Sequence, residues 1–126
     1  MSAPTRGSQP ARHPAEPSER ARLARLALDA ALRVEGVVSS HPGPGGMRVT
    51  SDRGERLPGV LATALPGGEY GVELHLVADV VPLHELAERV RSRVARAASS
   101  AGLADVLGPV DITIEDVVIP GEGSER

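Results

Sequence analysis

Between Val72 and Val77 the chain alternates apolar and polar residues, with Val72, Leu74 and Leu76 set against Glu73 and His75. A period of two places the first three on the inner face of a strand and the polar pair on the outer face. Pro82 then opens a segment whose apolar residues recur every three or four positions: Leu83, Leu86, Ala87, Val90, Val94, Ala97 and Ala101. That spacing predicts an amphipathic helix with proline in its first turn, where a missing N–H costs little. Gly102 follows as a left-handed cap. Alternation returns from Val110 to Ile119, with Val110, Ile112 and Ile114 inward and Asp111, Thr113 and Glu115 outward. Strand, helix and strand form a βαβ unit, whose crossover favours parallel pairing.

Upstream, Ser18 is placed to cap a helix over about residues 19–34. Arg22, Arg25, Asp29 and Arg33 form its narrow polar side. Leu23, Leu26, Ala27, Ala30 and Val34 make one apolar stripe, and Ala24, Leu28 and Leu32 a second beside it. Together they cover more of the circumference than the stripe of roughly 100° that a surface helix buries. This helix is therefore either wedged between two elements, or it offers Leu28 and Leu32 to another chain. Gly36 ends it as a left-handed cap. An extended segment from Val37, a short strand at 47–50, a turn at Ser51–Gly54 and a strand at 59–64 follow. Pro66-Gly67-Gly68 turns that last strand into Tyr70–Ala78 as a hairpin. The expected architecture is an α+β two-layer sandwich, a small mixed sheet with two helices on one face, in the order α-β-β-β-α-β.

Composition adds the boundaries. Of 126 residues, 40% are apolar, enough for one domain. Residues 1–17, rich in proline and polar groups, and residues 120–126 are expected to be disordered tails around a domain at 18–119. Phe and Trp are absent and Tyr70 is the single aromatic residue, so burial falls to Val, Leu, Ala and Ile. All 14 basic residues are Arg, and the net charge of −3 names no partner by itself. The charge is uneven: residues 82–101 hold four Arg and two acids, whereas 102–126 hold one Arg and six acids. Such segregation suits an oriented contact. There is no cysteine, hence no disulfide, thiol nucleophile or thiolate metal site. No apolar run reaches membrane-spanning length and the first 18 residues lack a signal-peptide core, so a cytoplasmic protein without direct membrane insertion is expected.

The candidate chemistry is sparse. Gly43-Pro44-Gly45-Gly46 lacks the Lys and Ser/Thr of a phosphate loop and reads as a turn. Glu73, His75 and Asp79 could ligate a metal, but the polar outer face of a half-buried strand gives the same pattern. His84 and Glu88 read as a solvated helical pair. No Ser lies in an elbow beside a base and a carboxylate. No catalytic, cofactor-binding or metal-binding residue is assigned, and no cofactor is expected. Arg89, Arg93 and Arg96 line one edge of the second helix. Without exposed aromatic residues, and with a negative net charge, they read as a solvated or partner-facing edge more readily than as a nucleic-acid interface.

Four segments, in order, resemble the alkaline shock protein family of Gls-type envelope stress response proteins. Ala31-Leu-Arg-Val-Glu-Gly-Val37 resembles its A-x-x-V-x-G-V opening. Gly71-Val-Glu-Leu-His-Leu-Val77 is similar to its G-V-x-V strand, Pro82-Leu-His-Glu-Leu-Ala-Glu-Arg-Val90 to its helix start, and Val110-Asp-Ile-Thr-Ile-Glu-Asp-Val117 to its closing strand. The Tyr-Gly that commonly precedes the Val-Pro step is replaced by Ala78-Asp79-Val80-Val81. The resemblance implies a non-catalytic scaffold or adaptor, held peripherally at the inner face of the cell membrane through a membrane-anchored protein partner, with homo-oligomers among its relatives. Leu28, Leu32, Arg89, Arg93 and Arg96 are the candidate contact surface. A nucleic-acid-binding module using the arginine-bearing helices and a metal protein or enzyme using Glu73, His75 and Asp79 are the alternatives.

Overall fold

A computed structural model describes residues 18–119, so the two expected tails lie outside the described residues. The elements run α1 (Glu19–Leu32), β1 (Val37–Ser40), β2 (Val49–Asp52), β3 (Glu55–Pro58), β4 (Val60–Ala64), β5 (Tyr70–Asp79), α2 (Leu83–Ser100) and β6 (Leu107–Val118). The expected α+β class and element order hold, with two further short strands, β1 and β3.

Strand β5 is the axis of the sheet. On one edge it pairs in parallel with β6, from Tyr70 opposite Leu107 to Asp79 opposite Val118. Two strands pair with it antiparallel in tandem: β4 against Tyr70–Leu74 and β1 against Leu76–Ala78. The chain passes between these two strands at Gly59. Its φ is +87°, and a Cβ there would come within 2.8 Å of the His75 carbonyl oxygen. Only glycine fits so close a backbone approach.

Strands β2 and β3 form a separate antiparallel ribbon. Thr50 Oγ1 donates to the Val60 carbonyl at 2.6 Å, fastening the ribbon to β4. The expected cap at the start of α1 is present, with Ser18 accepting from the Ala21 N–H. Gly36 and Gly102 both take positive φ after their helices.

The wide apolar arc of α1 is explained by its surroundings, since the helix packs against α2, β4, β1 and the ribbon. Leu23, Ala24, Ala27 and Ala31 are wholly buried. Leu28 is 6% exposed and belongs to this core, so its place in the candidate contact surface is withdrawn. Leu32 is 41% exposed. Helix α2 buries one stripe, Leu86, Val90, Val94 and Ala98, against the inward-facing Val72, Leu74 and Leu76 layer. Its expected stripe is shifted at the ends, for Leu83 and Ala101 lie in solvent and Ala98 takes the last core position.

Candidate functional site

Three features stand out from an otherwise ordinary surface. The first is on the face of the sheet turned away from the helices. His75 lies there as its alternation requires, but it is only 6% exposed rather than solvated. Its Nδ1 stands 2.6 Å from Glu115 Oε2 and its Nε2 stands 3.2 Å from Glu73 Oε1. Parallel pairing of β5 with β6 sets His75 opposite Thr113, two residues from Glu115. The cluster unites His75 with Glu115 and Glu73 rather than with Asp79. Among the described residues no group of three His, Cys, Asp or Glu side chains is placed to hold a metal ion.

The second feature is a groove of about 480 Å³ where α1, α2 and the β2–β3 turn meet. Leu26, Ala30 and Ala97 form its apolar floor. Its polar lining holds five arginines (Arg22, Arg25, Arg33, Arg53 and Arg93) against Asp29 and Asp52. Asp52 is 2% exposed. Its Oδ2 accepts from Arg25 Nε at 2.7 Å, and Arg25 Nη2 reaches Glu55 at 2.6 Å, tying α1 to the ribbon. The Arg25 hydrogen bond holds the Asp52 carboxyl below the usual carboxylate range; burial opposes this, and the nearby Arg53 charge assists. Asp52 and Glu55 in turn raise the Arg25 pKa. Asp52 Oδ1 is 3.3 Å from Arg53 Nε, near enough for an ion pair, yet the alignment is not that of a hydrogen bond.

Arg53 itself has φ of +54°, the only positive φ of a non-glycine residue among those described. It occupies the first central position of a two-residue hairpin turn, where Asn, Asp or Gly is favoured. The guanidinium groups of Arg22, Arg33 and Arg93 make no hydrogen bond or ion pair with the described residues, although the Arg22 and Arg33 backbone N–H groups donate to the Ser18 and Ala30 carbonyls. The sequence displays Arg22, Arg25, Asp29 and Arg33 as one helical side. It does not disclose that a turn from another sheet closes over them. Arg89 and Arg96 stand outside this groove, along the exposed edge of α2 beside Arg93. Arg89 Nη2 reaches the Glu35 carbonyl at 3.4 Å.

The third feature is apolar. The exposed large hydrophobic residues are Leu32, Val38, Met47, Val80, Leu83, Val117 and Ile119. All but Met47 lie at one end of the molecule. Register fixes this: Val37 is opposite Ala78, Ala78 is opposite Val117, and Asp79 is opposite Val118. Val80, Leu83, Val117 and Ile119 therefore gather where β5 and β6 end and α2 begins. Leu32 and Val38 flank the turn from α1 into β1 at the same end. Sequence reasoning missed this patch because Val80 lies in the link between strand and helix, and its other members come from separate elements that only the strand register brings together.

The outer edge of β6 leads to that patch. Among the described residues β6 pairs with β5 alone. Pro109 removes one donor near the start of β6, and Arg91 Nε covers the Val110 carbonyl at 2.9 Å. Beyond that point, among the described residues, no other strand pairs with β6 as far as Val118.

These features define a small two-layer α+β domain with a polar groove, an apolar end and an open sheet edge. No protein family matches the chain. No curated protein matches it either. A solved structure of a MamM CTD variant is similar, with a TM-score of 0.50 and 18% identity over 79% of this chain and 99% of that one. At that identity the likeness shows a shared fold. Among the described residues, no helix is long and apolar enough to cross a membrane.

Proposed function

We propose that this chain is a non-catalytic protein-interaction domain that docks a partner at the apolar end of β5, β6 and α2. The observation that carries this reading is the gathering of Val80, Leu83, Val117 and Ile119 at one end of the sheet. Apolar residues scattered singly over a surface need no explanation; a contiguous patch marks a contact site. The open edge of β6 beside it supplies main-chain donors and acceptors, the means by which sheets accept an added strand.

Charge favours a basic extended segment of another protein as the occupant. Strand β6 carries Asp111, Glu115 and Asp116 and no basic residue. Pairing β6 with a second copy of itself would set acids against acids, which is unfavourable across a strand pair. The candidate surface is thereby revised to Leu32 with this end of the molecule. Arg89 and Arg96 remain as an exposed edge that steers rather than anchors.

The resemblance to alkaline shock proteins supports a finer reading: an adaptor of the envelope stress response, held at the membrane by an anchored partner. In the host, removing the gene is then expected to sensitise cells to envelope-damaging agents; unaltered tolerance would count against that finer reading alone.

The docking surface is tested with a fluorescent decapeptide of alternating Val and Lys. Anisotropy should rise with wild-type protein and stay flat with the folded Val80→Asp/Val117→Asp variant. Equal binding by both would remove the apolar end from the account. Sedimentation showing a dimer that this variant dissolves would make the occupant a second copy instead.

A further inference from the structure

We propose that the groove between α1, α2 and the β2–β3 turn binds a small phosphate ester with a flat or apolar body, the chemical class of a nucleotide. Its volume of about 480 Å³ is that of a small-molecule site. The apolar end and the β6 edge form a different surface, so this site is independent of the docking surface above.

The cations occupy two poles. Arg33, the C-cap of α1, stands eleven residues beyond Arg22, about 16 Å along the axis at 1.5 Å per residue. The turn into β1 brings Gly36 beside Leu86 and Arg89, so α1 and α2 run antiparallel there, and Arg93, seven residues past Leu86, lies nearer to Arg33 than to Arg22. Arg33 and Arg93 both line this groove, and neither guanidinium is hydrogen-bonded or ion-paired with a described residue. An anion in the groove meets both positive charges. Planar guanidinium forks match phosphate oxygens with paired donors. Leu26, Ala30 and Ala97 form the floor between the poles, suited to an uncharged ring rather than to a second phosphate. At the far end, Arg22 is placed to lie against the face of such a ring, as guanidinium groups do.

The Arg53–Asp52 arrangement gives a second, independent indication. A non-glycine residue at φ +54° is strained. Asn or Gly would fill the turn without that strain. What Arg brings is a guanidinium at the groove wall, drawn in by the buried Asp52 oxygen. Asp52 is thus a positioning residue: it fixes Arg25 and Arg53 as walls and leaves Arg22, Arg33 and Arg93 for a ligand.

The test is calorimetric titration at low salt with ADP, pyrophosphate and adenosine, on the full chain. ADP is expected to bind, pyrophosphate to bind more weakly, and adenosine not to register. Arg33→Ala and Arg93→Ala, both at exposed positions, should each weaken ADP about tenfold or more, the loss of one charge-assisted hydrogen bond. Arg96→Ala, outside the groove, should bind ADP as wild type does. Vesicles of phosphatidylcholine with and without phosphatidylglycerol distinguish a lipid headgroup from a free ester. Binding to the anionic vesicles that Arg33→Ala abolishes, with none to ADP, would assign the phosphate to a lipid and overturn the soluble ligand. Silence toward all probes would overturn the proposal. So would equal ADP affinity in Arg33→Ala and Arg93→Ala, or binding to RNA that strengthens with oligonucleotide length while ADP fails.

Discussion

The two helices lie side by side on one sheet yet are built on different plans. Helix α1 buries seven of its 14 residues, four of them wholly, and most are Ala. Helix α2 buries four of 18, in a single stripe of Leu, Val and Ala. Small side chains let α1 approach β4, the ribbon and α2 closely, so it works as the central wedge of the domain. Helix α2 covers the sheet on one side and leaves the other to solvent. The polar remainder of α1 is consequently narrow, and its Arg22 and Arg25, with Arg33 at the helix C-cap, are closed by the fold into a groove. Close packing and the charge of that groove are two outcomes of one sequence pattern.

This contrast can be broken most severely at Leu23, which is wholly buried in α1. Leu23→Ala should cost about 2–5 kcal/mol in denaturant unfolding, the range for a buried leucine whose site cannot fully collapse. A loss near zero would mean that α1 is not the wedge. Enlargement gives the sharper comparison. Ala27→Leu, at a wholly buried position, should cost about 1–3 kcal/mol through overpacking. Ala87→Leu on the half-buried flank of α2 should stay within about 0.5 kcal/mol. Equal effects would erase the distinction between the helices.

A smaller effect is expected at the α1 cap. Ser18 accepts the Ala21 N–H, and Ser18→Ala should cost about 1 kcal/mol. Helix α2 has Pro82 at the equivalent position and no side-chain cap, so Pro82→Ala should lack this loss of a hydrogen bond. Thermal unfolding of the two variants, compared directly, checks both.

The link from α1 to the ribbon is sensitive to pH. The folded-state pKa of Asp52 lies below its ordinary value of 3.8, first through Arg25. Its stabilising contribution is then fully present above about pH 4 and is lost as pH falls through the lowered folded value. Asp52→Asn should flatten the fall in stability between pH 5 and pH 2 (about the range over which such a carboxylate titrates), measured by urea unfolding at each pH. An identical slope in both proteins would remove Asp52 from that role.

Much of this architecture was visible in local pattern. Ser18, Pro82 and the alternation at Val72–Val77 announce where α1, α2 and β5 stand, because caps and periodicity act within a few residues. Strand β3, Glu55–Pro58, escaped such reading: Arg56 and Leu57 alternate too briefly, and pairing with Val49–Asp52 comes from the turn between them. Burial of His75 escaped as well, since alternation assigns a face and says nothing about what the neighbouring strand brings to it. Glu115, forty residues away, supplies the partner. Leu28 and Leu32 looked equivalent on the helical wheel; tertiary packing separates them, burying one and exposing the other. The groove is the furthest from local pattern, because its walls come from two helices and a turn that meet only in the folded chain.

The docking surface is tested most directly by hydrogen–deuterium exchange of the β6 amides, with and without the alternating Val/Lys peptide. The outward-pointing amides between Ile112 and Val118 should slow when the peptide is present, while those of the β2–β3 ribbon keep their rates. Unchanged β6 rates under saturating peptide, or slowing spread evenly over the domain, would contradict it.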